Sequence, residues 1–193
     1  TDNMAISGES IDFGPCAFMD HYDPKTVFSS IDHHGRYAFG NQPIIAQWNL
    51  ARLADALLPL FDENENKAIE VGEEIIQSFN EKYEKKFHEM MKKKLGFITD
   101  EPEDGVLVKE LLDTMEKNKL DYTNTFRDLM NENISNKNLK DFYTKWTIRI
   151  DKQNRDKQEI LNLMRKNNPV VIPRNHKVEE SLKEAHKIGR AHV

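Results

Sequence analysis

Thr1-Asp2-Asn3-Met4-Ala5-Ile6-Ser7-Gly8-Glu9-Ser10-Ile11-Asp12-Phe13-Gly14 opens the chain. Residues 4–7 and 10–13 are two short apolar-polar runs joined around Gly8-Glu9, with Ile6 and Ile11 as apolar anchors. That pattern predicts a small β hairpin that leaves Asp12 at a strand end. An Asp-Phe-Gly placed after a hairpin is one way in which phosphoryl-transfer enzymes deliver a magnesium-binding carboxylate to the phosphates of ATP. In that setting an upstream Asp can accept a proton and an upstream Asn can hold the metal. Read alone, Asp2-Asn3 also suits a plain terminal turn, and Asp12-Phe13-Gly14 a turn at the end of a strand.

Outward from this stretch the composition changes near residue 62. The first part holds most of the glycine and aromatic punctuation, and the remainder is rich in Glu, Lys and Asn. A length of 193 residues with 38% hydrophobic residues suffices for one modest core, which excludes disorder throughout. The net charge of −5, with lysines interleaved among glutamates, argues against a dedicated nucleic-acid or anionic-membrane surface. The single cysteine, Cys16, excludes an internal disulfide, and it reads as a small buried residue. No apolar run is long enough to span a bilayer. The chain begins at Thr1 without an initiator Met, so a preceding segment is expected, and a leader cannot be judged from it. Residues 188–193, Ile-Gly-Arg-Ala-His-Val, break the helical pattern before them and read as a non-native tail, like an in-frame translation of a sequencing adapter.

After residue 40 the expectation is almost wholly α. Asn41 as a cap and Pro43 in a first turn predict a core helix through Ile45, Trp48, Leu53, Leu57 and Leu60. One long helix is predicted over residues 66–95, ending in Lys92-Lys93-Lys94 before Gly96, where cations suit the helix dipole. Further helices are predicted over 103–117, 122–131, 139–166 with a break near Asp151, and 178–186. Trp48 and Trp146 both lie on apolar helix faces and read as core. Between 28 and 39, Asp32-His33-His34-Gly35 predicts a tight turn between extended segments, with Gly35 free to take positive φ. Adjacent histidine side chains diverge and no matching ligand set is evident, so this is a solvated turn without a metal. Arg36 and Arg174 could meet phosphate or a protein substrate, but each can equally pair with a carboxylate inside the fold.

Several ordered blocks carry a resemblance that covers most of the chain. They are Thr1-Asp2-Asn3-Met4, Ile11-Asp12-Phe13-Gly14-Pro15-Cys16, Phe28-Ser29-Ser30-Ile31-Asp32, Gly35-Arg36-Tyr37-Ala38-Phe39 with Asn41-Gln42-Pro43, Trp48-Asn49-Leu50-Ala51-Arg52-Leu53-Ala54, and Ile172-Pro173-Arg174-Asn175-His176. Together they resemble the selenoprotein O family, also called YdiU or UPF0061. The resemblance implies a protein-kinase-like fold and transfer of AMP from ATP to protein Ser, Thr or Tyr hydroxyls. The fold class expected is therefore mainly α with a small N-terminal β hairpin, a partial kinase-like C-terminal lobe. Residues 1–187 would form it, with active-site hairpin and loops in 1–40 and a helical region in 41–187.

Carried over by position, the resemblance makes Asp2 the proton acceptor, Asn3 and Asp12 the metal ligands, and Asp12 also a nucleotide-binding residue. Mg²⁺ is the expected ion, with Mn²⁺ equally suited to oxygen ligands, and ATP is the co-substrate. Expected partners are ATP and hydroxyl-bearing protein substrates, with no nucleic acid and no membrane span. Family members occur in bacterial cytoplasm and in mitochondria. The family's nucleotide-gripping Lys, its Glu partner, a glycine-rich loop and its arginines would lie upstream of Thr1, and its C-terminal redox residue would lie downstream, so the piece alone is expected not to catalyse. A catalytically inactive kinase-like scaffold and a conventional protein kinase stay open as alternatives. The adjacency of Asp2 and Asn3, and the absence of a His-Arg-Asp loop, argue against the latter.

Overall fold

The computed structural model describes residues 4–5, 7–9 and 17–187. Among them are eight α-helices and two short 3₁₀ turns. The described residues divide into two units. One holds Pro24–Phe87 with the N-terminal residues, and the other holds Ala17–Asp23 with residues 88–187.

The expected N-terminal β hairpin is corrected. Among the described residues there is no strand or sheet, only an isolated antiparallel bridge between His21 and Asp121. The Gly8 N–H donates to the Ala5 carbonyl at 3.1 Å, and Gly8 takes φ +71°. That bond joins Ala5 to Gly8, earlier than a turn centred on Gly8-Glu9 would require. A lone two-stranded ribbon is marginal in water without a third strand or a packed face, which is the physical reason the local pattern does not suffice. The helical remainder is consistent with the helical lobe that the resemblance implies.

In the first unit a 3₁₀ turn at Phe39–Asn41 leads into α1 (Gln42–Phe61), followed by α2 (Glu65–Gln77) and α3 (Phe79–Leu95). Asn41 stands at the cap position of α1, but its side chain does not cap. Its backbone is already helical, at φ −90° and ψ −10°, and capping needs an extended residue. The Asn41 amide instead donates to the Gly35 carbonyl at 2.8 Å. That closes the expected turn, where Gly35 takes φ +64° and the Asp32 carboxylate accepts from the Arg36 and Tyr37 N–H groups at 2.8 Å each. The turn is as expected.

The single helix expected over 66–95 is two helices. Ser78 interrupts it, because its hydroxyl donates to the Ile75 carbonyl at 2.7 Å and so competes with the backbone ladder. Asn64 caps α2 by accepting from the Lys67 N–H at 3.2 Å. Ala68 and Gly72, one turn apart, are buried on α2, and a Cβ on Gly72 would stand 3.5 Å from the Phe61 ring of α1. Small residues thus let the two helices approach closely. Phe79, Tyr83 and Phe87 stack along α3 at 6.2 and 6.1 Å between centroids.

The second unit begins, within α3, at His88. α3 ends as its sequence predicts: the Phe97 N–H donates to the Lys92 carbonyl at 2.8 Å and the Gly96 N–H to Lys93 at 3.2 Å, with Gly96 at φ +78°. This is the Schellman pattern, in which a left-handed glycine satisfies the last carbonyls. There follow α4 (Asp104–Asn118), α5 (Tyr122–Met130), a 3₁₀ turn (Lys137–Leu139), α6 (Lys140–Lys152), α7 (Lys157–Asn167) and α8 (Asn175–Lys187). The break expected near Asp151 separates α6 from α7. Asp156 caps α7 by accepting from Gln158 and Glu159 at 3.1 and 3.2 Å. Leu95, Leu111, Met115, Phe126, Leu129, Phe142 and Met164 are almost fully buried and form the core of this unit.

Trp146 is buried as expected and donates its indole N–H to the Leu95 carbonyl at 2.9 Å. The expectation for Trp48 is corrected: it is 47% exposed. An apolar face places a residue on a stripe but does not decide how much of that stripe another element covers.

Lys94 is buried near the end of α3. Its ammonium lies over the rings of Phe126 at 4.5 Å and Tyr122 at 5.4 Å and donates to the Asn167 carbonyl at 3.3 Å. Burial pushes it down from the ordinary 10.5 to about 8. Between those values the unfolded chain binds more protons than the folded one, so stability rises with pH across that window; below about pH 8 the cost of a buried charge is fully present. Lys94→Met is expected to flatten this rise and to add about 1–3 kcal/mol at pH 7. Urea unfolding of both proteins at pH 7 and pH 9.5 checks it, and an equal pH response in the two would refute it.

Candidate active site

Asp2, Asn3 and Asp12, the residues expected to carry the chemistry, lie outside the described residues, as does Cys16. What the structure describes is the chain that adjoins them. Met4 and Ala5 follow Asn3 directly, and with Asn49, Leu50, Arg52, Leu53 and Ala56 of α1 they line a cavity of about 310 Å³. Among its described lining residues only Asn49 and Arg52 carry polar side chains. Asn49 is only 7% exposed, and its Nδ2 donates to the Met4 Sδ at 3.1 Å. Of the N-terminal residues, Met4 and Ala5 line it among those described.

Asn49 was not among the candidate residues from sequence. A signal for it existed: it stands four residues after Ile45 and four before Leu53, so a carboxamide occupies the apolar stripe of α1. Such a placement is costly unless the amide has a partner.

Around α1 two arginines meet Trp48. The Arg36 guanidinium stacks 4.9 Å from its ring centroid and that of Arg52 at 5.8 Å, and Arg52 also pairs with Asp55 at 2.9 Å. Arg36 is thus held by an aromatic face, a structural role reached by stacking instead of the expected carboxylate pairing.

Arg174, in the second unit, meets the carboxylate-pairing expectation. It donates to Asp20, and to both Asp121 oxygens at 2.6 and 3.2 Å. Asp121 in turn caps α5 by accepting from the Asn124 N–H at 2.7 Å. The chain also runs alongside itself here, Tyr22 donating to Leu120 at 2.9 Å and Tyr122 to Asp20 at 2.8 Å. The Ile172-Pro173-Arg174-Asn175-His176 block therefore pins the segment Ala17–Asp23 to the start of α5.

His33 and His34 are exposed, and among the described residues no cluster of three His, Cys, Asp or Glu side chains could hold a metal. The metal expectation therefore rests on Asn3 and Asp12. Their donor set, one carboxamide oxygen and one carboxylate, fits a hard divalent cation completed by phosphate oxygens and water. No helix among the described residues is long and apolar enough to cross a membrane.

The chain matches the family described as protein adenylyltransferase SelO over residues 1–189. It is similar to the protein nucleotidyltransferase YdiU of Anoxybacillus flavithermus, 54% identical over 191 residues that cover 98% of this chain and 40% of that protein. It is also similar to YdiU proteins of Bacillus cereus and Bacillus thuringiensis, 51% and 50% identical over 191 residues, each match covering 96% of this chain and 39% of the relative. The chain thus spans about two fifths of the length of these relatives.

Proposed function

The chain belongs to the SelO family of protein adenylyltransferases, and on that premise we propose that it carries the catalytic segment of an enzyme that moves AMP from ATP to protein hydroxyls. The observation that carries this reading is the family match itself, which covers residues 1–189 and so includes the Asp2-Asn3 and Asp12-Phe13-Gly14 blocks.

In the proposed reaction Asp2 accepts the proton of a Ser, Thr or Tyr hydroxyl as its oxygen attacks the α-phosphorus of ATP. The new bond joins that oxygen to AMP, the bond from the α-phosphorus to the bridging oxygen breaks, and pyrophosphate leaves. A carboxylate within hydrogen-bond reach of the hydroxyl both orients and deprotonates it. Asn3 and Asp12 would hold magnesium, which when bound neutralises charge on the phosphates. Asp12 would also stand close to the nucleotide and so link metal and substrate placement. Asp2 and Asn3 are neighbours in sequence, so one short segment sets the position of both base and ligand.

The test is intact-mass analysis of the full-length protein and a mixed protein extract after incubation with magnesium and ATP. An added AMP mass on protein supports the reading. An added phosphate mass assigns a kinase instead, and no nucleotide-dependent addition with either Mg²⁺ or Mn²⁺ assigns a non-catalytic scaffold.

A further inference from the structure

Arg36 and Tyr37, on the turn before α1, and Ile44, Trp48 and Arg52 of α1 all belong to the first unit. Residues 44, 48 and 52 are spaced by four, so they lie along one face of the helix. That face is open to water: Ile44 is 64% exposed, and Tyr37, Trp48 and Arg52 are each half-exposed. Single apolar residues at a surface need no explanation, whereas a contiguous group rimmed by charge marks an interaction site. Here the group is contiguous, since the two guanidinium groups lie over Trp48 at 4.9 and 5.8 Å and that of Arg36 also lies 5.8 Å from the Tyr37 ring.

The charge on this surface is held ready. Stacking on two rings fixes the Arg36 guanidinium, yet it engages only the faces of that planar group and leaves its N–H donors in the plane. Among the described residues none of those side-chain donors makes a hydrogen bond. The nearby carboxylates are already engaged: Asp32 accepts the backbone N–H groups of Arg36 and Tyr37, and Asp55 pairs with Arg52. A guanidinium that is immobilised beforehand loses less rotamer freedom when it binds, so a bidentate bond to an incoming carboxylate gains in net strength.

We propose that Arg36, Tyr37, Ile44, Trp48 and Arg52 form a docking surface for an acidic segment of a protein partner. Carboxylate side chains of that segment bond the Arg36 guanidinium, and an adjoining apolar side chain packs on Trp48 and Ile44. A peptide segment fits better than a phosphate group, because a phosphate would use the cation and leave Ile44 and Trp48 in water. Trp, Tyr and Arg are also the residues that dominate binding energy at protein interfaces. Only the identification of the partner as the protein that receives AMP rests on the function proposed above.

The test is fluorescence anisotropy of the full-length protein, at low ionic strength, with a labelled Glu-Glu-Leu-Glu-Glu peptide and with Gln-Gln-Leu-Gln-Gln as its neutral counterpart. The acidic peptide is expected to bind the wild type more tightly than the neutral one, and to bind Arg36→Gln on the order of 10-fold more weakly. Trp48→Leu removes the platform under both guanidinium groups and should weaken binding as well, with Trp48→Phe restoring much of it. Asp55→Asn, which releases Arg52, should tighten it. These positions are exposed, so the variants should melt as the wild type does, and if Trp48→Leu does not, Arg36→Gln decides alone. Equal binding of the two peptides, or unchanged binding by Arg36→Gln, overturns the proposal. Pyrophosphate binding that depends on Arg36, with no binding of the acidic peptide, overturns it in favour of a phosphate site. AMP transfer is read separately: Arg36→Gln should raise KM for an acidic protein acceptor on the order of 10-fold and leave KM for ATP within about twofold. If the wild type transfers no AMP, the functional reading fails, and peptide binding still decides whether the surface exists.

Discussion

Asp12→Ala in the full-length protein is expected to abolish AMP transfer, lowering kcat/KM by at least about 10³-fold with the melting temperature unchanged. The size of the effect follows from the two tasks proposed for one carboxylate. It would hold the cation and also stand beside the nucleotide, so its loss removes both charge stabilisation and alignment of the phosphates, neither of which water replaces in a preorganised site. Asp2→Asn is a graded companion: it keeps the shape and loses the base, and a general base is typically worth 10²–10⁴-fold. Counting AMP adducts by intact mass across wild type, Asp2→Asn and Asp12→Ala reads all three. Full transfer by Asp12→Ala would remove Asp12 from the machinery, and a raised KM for ATP with kcat unchanged would assign it to nucleotide affinity alone.

The second large effect concerns folding of the second unit. Asp104, in the first turn of α4, and Arg149, in the last turns of α6, are both buried, at 5% and 4% side-chain exposure. Arg149 Nε donates to Asp104 Oδ1 at 2.6 Å and Nη2 to Oδ2 at 3.0 Å, a bidentate pair. Nη2 also donates to the Thr99 carbonyl at 2.7 Å, and the guanidinium lies 4.6 Å from the Phe97 ring centroid. Arg149 Nη1 is buried without a hydrogen-bond partner, so the arginine has little reserve if the carboxylate goes. Asp104→Ala would strand that charge, and removing one member of a buried pair costs about 3–5 kcal/mol. The double change Asp104→Leu with Arg149→Met should restore most of the loss, because it removes both desolvated charges. By contrast Glu101→Ala, which breaks only the Lys152 to Glu101 contact at 2.6 Å with a half-exposed lysine, should change stability by less than about 1 kcal/mol. Urea unfolding of the four proteins checks the ranking. A loss below about 1 kcal/mol in Asp104→Ala would mean that water reaches the pair.

Helix placement was largely legible because its signals are local. Pro43 near the start of α1, Gly96 after α3 and the apolar spacing of Leu107, Leu111 and Met115 in α4 each act within one or two turns. Where local signals competed, the reading failed. Ser78 split a periodic run because a hydroxyl met a carbonyl three residues back. Asn41 stood where a cap belongs and spent its amide on Gly35 instead. The hairpin failed for a related reason: alternation over a few residues marks a possible strand, but a strand needs a partner and a covered face.

For the site, the chain's own residues named the candidate chemistry, since Asp2, Asn3 and Asp12 are set by motif and resemblance, and the family match bears out the family they pointed to. The surroundings were not legible. Trp48 and Trp146 occupy similar apolar faces, yet one is 47% exposed and the other 5%. Lys94 follows two lysines in a run that reads as a solvated helix end, and it is the buried one.

Propensity, capping and motif spacing are written between near neighbours, and so they set which segments are helical, where most of them stop, and to which family the chain belongs. Packing of whole helix faces is what brings Arg149 to Asp104 across 45 positions, Asn49 to Met4 across 45, and Arg174 to Asp20 across 154. Those pairings depend on which helix faces come together, and the free energy that selects them is summed over a whole packed unit, so no local pattern of residues encodes any one of them.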